Sequence, residues 1–142
     1  MGDQILDPGR RYGRLLDQVQ VNAPYRQLVD RYLESFLHYG INPEIGFDAL
    51  ALETFSEEGM EEVARLIADC GRTTTFHGPF MDLAPGGIDG RIRKVTARRL
   101  QRTMELVPLF RPLSIVFHAG YDERRYHAHR AEWLSGSLAT WE

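Results

Sequence analysis

The sequence predicts an α/β fold in which four strands alternate with four helices, giving four parallel βα units. Short windows rich in β-branched and apolar residues alternate along the chain with longer windows whose apolar residues recur every three or four positions. Three of the strand-like windows also end alike, with an apolar residue, an Asn or His, two turn-forming residues and an aromatic residue: VNAPY, FHGPF and FHAGY. We therefore expect three strands to present one polar side chain each at a common edge of a sheet.

The composition is that of an ordinary globular domain. With 142 residues, the chain is long enough for one domain that buries roughly 68–70% of the surface its unfolded chain exposes. A hydrophobic fraction of 43% and a charged fraction of 26% give no reason to expect disorder beyond the termini. The net charge of −3 and a pI near 6.0 argue against a dedicated nucleic-acid-binding protein, so DNA is not an expected partner.

Cysteine use and hydropathy predict a protein of the reducing cytoplasm. Cys70 is the only cysteine, which excludes an internal disulfide and a cysteine-based zinc finger, and we expect its small side chain in the core. The first residues lack the apolar region of a signal peptide, and no run of roughly 18 apolar residues occurs. The expected location is therefore cytoplasmic, with no membrane contact.

The first βα unit is expected to follow an N-terminal lead-in, residues 1–17. Residues 18–22 alternate polar residues with valine and predict the first strand, which would end at Asn22 before an Ala-Pro pair. From Tyr25, apolar residues recur at helical spacing until Gly40, which has the character of a helix C-terminal glycine.

The second unit is expected to begin with a short apolar strand at residues 44–47. A loop is predicted at residues 48–55. Ser56, followed by two glutamates, predicts a capped helix start. The buried face of this helix is expected to consist of the apolar residues at helical spacing, Met60, Val63, Ala64, Ile67 and Ala68.

The third and fourth units are expected to have strands at residues 73–77 and 114–118. The long loop at residues 78–90 follows a strand end and is a candidate functional element. The inward residues of the third helix are predicted to be Ile92, Val95, Leu100, Met104 and Val107. A fourth helix over residues 126–142 is predicted to have one apolar side, formed by Trp133, Leu134, Leu138 and Trp141.

Four such units predict a parallel sheet covered by helices, with ligands bound at the carboxyl ends of the strands, where Asn22, His77 and His118 are expected. A TIM barrel of eight units needs about 250 residues, so residues 18–142 would be equivalent to its first half. Three alternatives stay open: a fragment, two copies that complete one another, or an open sheet. A half-barrel is expected to expose two sheet edges and an apolar inner face.

The amino-acid sequence of these strands resembles that of the xylose-isomerase-like barrel superfamily. The segments that carry the resemblance are NPEIGFDA on the second strand, FHGPFMDLAPGG on the third and IVFHAGYD on the fourth. This group comprises sugar and sugar-phosphate isomerases and epimerases together with the type-IV apurinic endonucleases. The resemblance covers residues 18–142, which corresponds to the first half of the family barrel.

The resemblance implies a divalent metal, zinc or manganese, in a complete family member. In the endonuclease-like branch, the histidines that end strands three and four, here His77 and His118, bind zinc. In the epimerase-like branch, carboxylates and a histidine from strands five to eight hold the metal, and the early strands shape the substrate pocket. Every later ligand would lie beyond Glu142, so we expect metal binding by this chain alone to be weak or absent.

Five residues are candidates for the functional site. His77 and His118 are metal ligands, or else hydrogen-bonding side chains that contact substrate hydroxyls, phosphate or solvent. Glu44 is the candidate catalytic base, and Asp48 a candidate substrate contact, with a solvated acid or a loop cap as the alternative for both. Asn22 is a candidate hydrogen-bond donor to substrate, or a turn-capping residue.

The third helix is strongly basic. Its cationic residues are Arg91, Arg93, Lys94, Arg98, Arg99 and Arg102. At these spacings most of them belong to the outer face of the helix, which favours a solvated surface over a track for phosphate or DNA.

The preferred hypothesis is a metal-dependent sugar or sugar-phosphate isomerase or epimerase, represented by the N-terminal half of its barrel and possessing few of its own catalytic groups. One alternative is a zinc-dependent phosphodiesterase that cleaves abasic DNA and uses His77 and His118 directly. The other is a non-catalytic half-barrel that forms a homodimer through its open edges.

Overall fold

The computed structural model describes residues 13–142 and contains a four-stranded parallel sheet. Its strands are β1 (Gln20–Pro24), β2 (Asn42–Gly46), β3 (Thr75–His77) and β4 (Ile115–Val116). They lie in the order β1-β2-β3-β4, so each strand pairs with its neighbours in sequence, and all three pairs are parallel. The predicted fold class, four parallel βα units as in half of a TIM barrel, is confirmed.

Helices follow every strand. α1 consists of three consecutive segments, the α-helical Tyr25–Gln27, the π-helical Leu28–Tyr32 and the α-helical Leu33–Tyr39. It ends, as predicted, at Gly40, whose φ of 67° favours glycine. The other helices are α2 (Ala49–Thr54), α3 (Glu57–Asp69), α4 (Gly90–Glu105), α5 (Val107–Phe110), α6 (Glu123–Tyr126) and α7 (Arg130–Trp141), with a 3-10 turn at His127–His129.

The core lies between the sheet and the helices. Ala23, Ile45, Phe76 and Ile115 form one row across the four strands, and the first three are almost fully buried. They pack against apolar side chains of α1, α3 and α5, among them Leu28, Phe36, Met60, Val63, Ile67 and Phe110. This single cluster fixes the sheet against its helical layer, and the other face of the sheet is turned away from it.

That other face is mostly polar. Successive strand residues point to opposite faces, so Asn22, Glu44 and Thr75 in one row, and Pro24, Gly46, His77 and Val116 in the next, lie on the face away from the helices. We expected this inner face to be apolar, and for these two rows that prediction is wrong, since Pro24 and Val116 are their only residues with apolar side chains. The large apolar side chains of these strands lie on the face that packs against the helices.

The lead-in is tied to the amino end of the sheet. Residues 13–16 are helical, and the rest of the predicted lead-in, residues 1–12, lies outside the described part of the chain. Asn42 Nδ2 donates a hydrogen bond to the carbonyl oxygen of Leu16 at 2.9 Å, and Arg72 Nη1 lies 2.8 Å from Asp17 Oδ1. The described end of the lead-in is thus held by β2 and by the segment before β3.

Several predicted boundaries differ from the structure. The first strand is shifted from residues 18–22 to Gln20–Pro24, so Asn22 lies inside β1 instead of ending it. The loop predicted at residues 48–55 contains α2, which is too short for apolar periodicity to reveal. β4 ends at Val116, so His118 lies beyond the strand.

The predicted inward face of α4 was right for Leu100 and wrong for Ile92, Val95 and Met104, and Val107, the fifth predicted residue, begins α5. The buried residues of α4 are Thr96, Leu100 and Thr103, whereas Ile92, Val95 and Met104 are each about half exposed. The two threonines are buried at little cost because their hydroxyls are hydrogen-bonded, one to the backbone N–H of Ala84 and the other to the carbonyl oxygen of Arg99.

The apolar side predicted for the last helix is also divided. In α7, Trp133 is buried, but Leu134, Leu138 and Trp141 are 52%, 54% and 42% exposed. Cys70, expected in the core, is exposed because it lies at the C-terminal end of α3. Within residues 13–142, no helix is both long enough and apolar enough to span a bilayer.

Candidate functional site

Two histidines from neighbouring strands meet at the carboxyl end of the sheet. His77 is the last residue of β3, and His118 follows β4 after Phe117. The two Nε2 atoms are 2.8 Å apart, and the rings are nearly parallel, with 5.0 Å between centroids and 16° between planes. The structure therefore brings the two histidines singled out by the sequence into direct contact.

Glu44 reaches this pair from inside β2. Its Oε1 lies 3.5 Å from His77 Nδ1 and accepts a hydrogen bond from Asn22 Nδ2 at 2.8 Å. The side chains of His77 and Glu44 are 25% and 29% exposed, so both are largely shielded from water yet reachable by a ligand. Four of the five candidate residues thus form one continuous chain of polar contacts, Asn22 to Glu44 to His77 to His118.

Asp48, the fifth candidate, has other contacts. Its Oδ1 accepts a hydrogen bond from the backbone N–H of Ala51 at 2.7 Å and so caps α2. Its Oδ2 pairs with Arg26 at 3.1 Å. The structure gives this carboxylate a helix-capping task, and a role for Asp48 in substrate binding stays a prediction.

Phe80 adds an aromatic wall to the histidine pair. The centroid of its ring lies 5.4 Å from that of His77 and 5.0 Å from that of His118, and the residue is 49% exposed. Sequence reasoning did not place Phe80 in the site. The signal that could have found it is the aromatic residue that closes the FHGPF pattern, three positions after the histidine.

The second half of the loop that bears Phe80 is fixed to α4 and α7. Four hydrogen bonds hold it: Ala84 N–H to Thr96 Oγ1 at 3.0 Å, Thr140 Oγ1 to the Pro85 carbonyl at 2.8 Å, and Arg93 Nη1 to the Gly87 carbonyl at 2.7 Å and the Ile88 carbonyl at 3.0 Å. A Cβ at Gly86 would lie 2.5 Å from the indole ring of Trp133, so only glycine permits this approach. The loop is therefore anchored on the side away from the histidines.

The two histidine nitrogens lie closer together than two ligands of one zinc ion would. Two nitrogens bound to tetrahedral zinc would lie about 3.3 Å apart, and the Nε2 atoms of His77 and His118 are separated by 2.8 Å. Glu44, behind Nδ1 of His77, has the place of the carboxylate that often supports a ligating histidine. Among the described residues, no group of three or more His, Cys, Asp or Glu side chains is arranged to hold a metal ion.

A second cluster of polar side chains follows β4. The Tyr121 hydroxyl donates to Glu123 Oε2 at 2.6 Å, and His127 Nδ1 lies 2.8 Å from Glu123 Oε1. The hydrogen bond to Glu123 is the main cause that raises the pKa of Tyr121. Hydrogen bonds from Tyr121 and then His127 lower the pKa of Glu123. These directions keep the tyrosine protonated, which makes it a hydrogen-bond donor and a poor base.

A groove of about 940 Å³ lies between α2 and α4 on the helix side of the sheet. Three arginines line it, Arg98, Arg99 and Arg102, but Arg99 pairs with Glu53 at 2.9 Å and Arg102 with Glu105 at 3.0 Å. The groove shares no residue with the polar chain that ends at His118. With two of its three arginines already paired, this surface gives little support to a nucleic-acid track.

Comparison with known proteins finds similar structures but no matching sequence family. No protein-family model and no curated protein match the sequence. The structure is similar to that of a D-tagatose 3-epimerase-like protein, with a TM-score of 0.61 and 19% identity, covering 87% of this chain and 46% of that one. It is also similar to the TTHB071 protein from Thermus thermophilus, soaked with ZnCl2, with a TM-score of 0.65 and 17% identity, covering 85% and 52% of the two chains.

The chain thus spans about half the length of the two structures it matches. At these identities the likeness establishes the fold alone. It confirms the predicted arrangement of parallel βα units and agrees with a partial barrel.

Proposed function

We propose that this chain is the N-terminal half of a metal-dependent isomerase or epimerase barrel that acts on a sugar or sugar phosphate. The observation that carries the proposal is the 2.8 Å contact between His77 Nε2 and His118 Nε2 at the carboxyl end of a half-barrel, where barrels of this type bind ligands. The similarity to a protein named for a sugar epimerase supports the substrate class.

Different side chains near the polar face are proposed to bind the cation and the sugar. His77 and His118 bind a divalent cation, zinc or manganese, or the substrate hydroxyls, through Nε2. When bound, such a cation polarises the carbonyl and hydroxyl oxygens of the substrate. Phe80 covers the apolar C–H face of the sugar ring beside the histidines. Asn22 holds the carboxylate of Glu44 in place.

Glu44 is the group proposed to move a proton. Both of its contacts described above, with Asn22 and with His77, use Oε1, so Oε2 is the atom proposed to accept a proton from a carbon beside the substrate carbonyl. Further metal ligands would have to come from outside these four strands, since two imidazoles are half of the usual set.

The experiment is a proton-exchange assay combined with a metal titration. The 142-residue protein is incubated with ketoses and ketose phosphates in D2O with manganese or zinc, and NMR follows deuterium entering the carbon beside the carbonyl. Metal binding is measured by calorimetry for the wild type, His77→Ala and His118→Ala, with His129→Ala, an exposed histidine of the 3-10 turn, as the control.

We expect weak metal binding that is lost in His77→Ala and His118→Ala and kept in His129→Ala, with slow exchange that follows the same order. Tight stoichiometric zinc in both site variants would place the metal elsewhere. Exchange that is equal in all four proteins would remove these histidines from the proposed reaction.

A second candidate is zinc-dependent cleavage of abasic DNA. It is favoured by the close approach of His77 and His118, because the resemblance to the endonuclease-like branch implies that these two histidines bind zinc. One of the two similar structures was also soaked with ZnCl2. Zinc-dependent cleavage of a duplex with one abasic site, abolished by His77→Ala, would promote this function over the isomerase.

A third candidate is a non-catalytic half-barrel that self-associates. The observations in its favour are an open sheet edge and exposed apolar side chains: among the described residues β4 pairs only with β3, Val116 is 50% exposed, and Leu134 and Leu138 of α7 are also about half exposed. Such an edge pairs readily with another strand. Its test is the oligomeric state of the protein and of variants in α7.

A further inference from the structure

We infer that Glu44 also acts, through Oε1, as a positioning residue: it fixes which ring nitrogen of His77 carries the proton, and thereby also fixes the tautomer of His118. This inference deepens the proposed function, because it concerns the same two histidines. Its evidence is limited to three contacts. These are the Nε2 contact between the two histidines at 2.8 Å, the Glu44 contact with His77 Nδ1 at 3.5 Å, and the Asn22 contact with Glu44 at 2.8 Å.

The contact between the two Nε2 atoms requires a single proton. At 2.8 Å two bare nitrogens would direct their lone pairs at each other, and two protonated nitrogens would direct their hydrogens at each other. A hydrogen bond forms only when one imidazole donates and the other accepts. The rings are nearly parallel, 16° apart, so their orientation does not determine which histidine is the donor.

Glu44 removes this ambiguity from the side of His77. A carboxylate accepts hydrogen bonds and donates none, so a bare Nδ1 facing Oε1 at 3.5 Å would be repelled, whereas Nδ1–H is attracted. The neutral His77 ring then carries its proton on Nδ1 and has a bare Nε2. His118 must therefore be the donor, with its proton on Nε2 and its Nδ1 bare.

Asn22 keeps the carboxylate in this position. Its amide N–H donates to the same oxygen, Oε1, that faces His77, and Asn22 and Glu44 are partners in the β1–β2 register. The orientation of the carboxylate is thus set by two paired strands. This explains why the polar row includes an asparagine where an interior barrel position usually has a branched apolar residue.

The two histidines are consequently unequal as ligands. His77 Nε2 carries no proton and accepts the hydrogen bond from His118, whereas the Nε2 of His118 carries a proton. A cation that binds both Nε2 atoms requires the His118 proton to leave Nε2, either for Nδ1 of the same ring or for solvent. The arrangement assigns His77 as the preformed ligand and His118 as the one that must rearrange.

The test is the ring nitrogen spectrum of the metal-free protein. Uniformly 15N-labelled full chain is treated with chelator and measured by long-range 1H–15N correlation in alkaline buffer, where imidazoles are neutral. The His77 signals are assigned with His77→Gln. The variants are Glu44→Gln, which removes the charge, and Glu53→Gln as the matched control, because Glu53 loses the same charge but contacts Arg99.

In the wild type we expect the His77 Nδ1 signal at the position of a protonated nitrogen and its Nε2 signal at that of a bare nitrogen, with the reverse for His118. Glu44→Gln is expected to shift both His77 signals toward intermediate values, while Glu53→Gln leaves them in place. A bare Nδ1 at His77 in the wild type overturns the inference, and so does an unchanged spectrum in Glu44→Gln. The spectrum does not depend on any isomerase activity, so this inference and the proposed function can fail separately.

Discussion

The ring of Tyr25 meets the ring of Phe55 edge-on, with 4.9 Å between centroids and 88° between planes, yet the Tyr25 hydroxyl has no hydrogen-bond partner among the described residues. Tyr25 is 1% exposed and also contacts the rings of Phe47 and Phe110. The aromatic cluster that closes the carboxyl end of β1 therefore contains a buried polar group that weakens it.

Replacing Tyr25 by Phe is expected to stabilise the protein. The substitution keeps the ring and removes a hydroxyl whose burial without a partner costs about 1–3 kcal/mol. We expect the free energy of unfolding in urea to rise by about 1 kcal/mol. Tyr39→Phe is the control, since Tyr39 is 40% exposed and should change little. A lower stability of Tyr25→Phe would show that the hydroxyl has a partner in solution.

The same hydroxyl predicts a loss of stability in alkali. Burial raises the pKa of Tyr25 from 10.0 to about 12. Below pH 10 the hydroxyl is protonated in both states; between pH 10 and pH 12 the unfolded chain loses the proton first, so folding is disfavoured by up to about 2–3 kcal/mol. Urea unfolding across this range should show a steeper fall for the wild type than for Tyr25→Phe. Parallel curves would contradict the prediction.

Asp48 is expected to matter for α2 more through its cap than through its charge. Asp48→Ala removes the acceptor for the Ala51 N–H and should lower the free energy of unfolding by about 1 kcal/mol. Asp48→Asn keeps a capping oxygen and loses the half-exposed ion pair with Arg26, which should cost less than about 0.5 kcal/mol. Equal losses in both variants, measured by urea unfolding, would assign the effect to the charge.

Gly78 is expected to be intolerant of any side chain. A Cβ at this position would overlap the ring of Phe117, the residue before His118. Gly78→Ala should therefore lower stability by about 1–3 kcal/mol and displace His118 from His77. Gly90→Ala is the control, because its nearest atom, in Arg93, is 3.5 Å away. Unfolding in urea and the histidine ring signals report the two effects, and an unperturbed Gly78→Ala would contradict the packing described here.

The exposed side of α7 is expected to govern self-association. If two copies associate through this exposed side of α7, light scattering after size exclusion should give a dimer for the wild type. The double variant Leu134→Gln with Leu138→Gln should then be a monomer. Leu50→Gln, which changes a leucine of α2 that is 48% exposed, serves as the control. A wild type that is monomeric at all concentrations would remove the self-associating candidate.

The sequence predicted the features that depend on local signals. Gly40 and Ser56 end and begin helices where the sequence indicated, because a left-handed glycine and an N-cap hydroxyl are local requirements. The phase of α4 was missed because burial of Thr96 depends on a hydrogen bond from Ala84, twelve residues away in sequence. That bond is invisible to apolar periodicity.

Part of the candidate site could also be predicted from local signals in the sequence. The strand-end pattern was enough to single out His77 and His118, since parallel strands end at one edge. The contact of Glu44 with Asn22 depends on the register of β1 against β2, which shifts Asn22 from the predicted strand end to the interior of the strand. Register depends on the partner strand as well as on the apolar pattern of the strand itself, so one short strand read alone does not define it.

The anchoring of the loop after β3 has a consequence for ligand entry. Because residues 84–87 are hydrogen-bonded to α4 and α7, and residue 78 packs against Phe117, a change in the opening above the histidines is restricted to the short stretch between these fixed points. Phe80 and Met81, 49% and 68% exposed, form its tip. We therefore expect movement of this loop to be limited to residues 79–83, between the two fixed points.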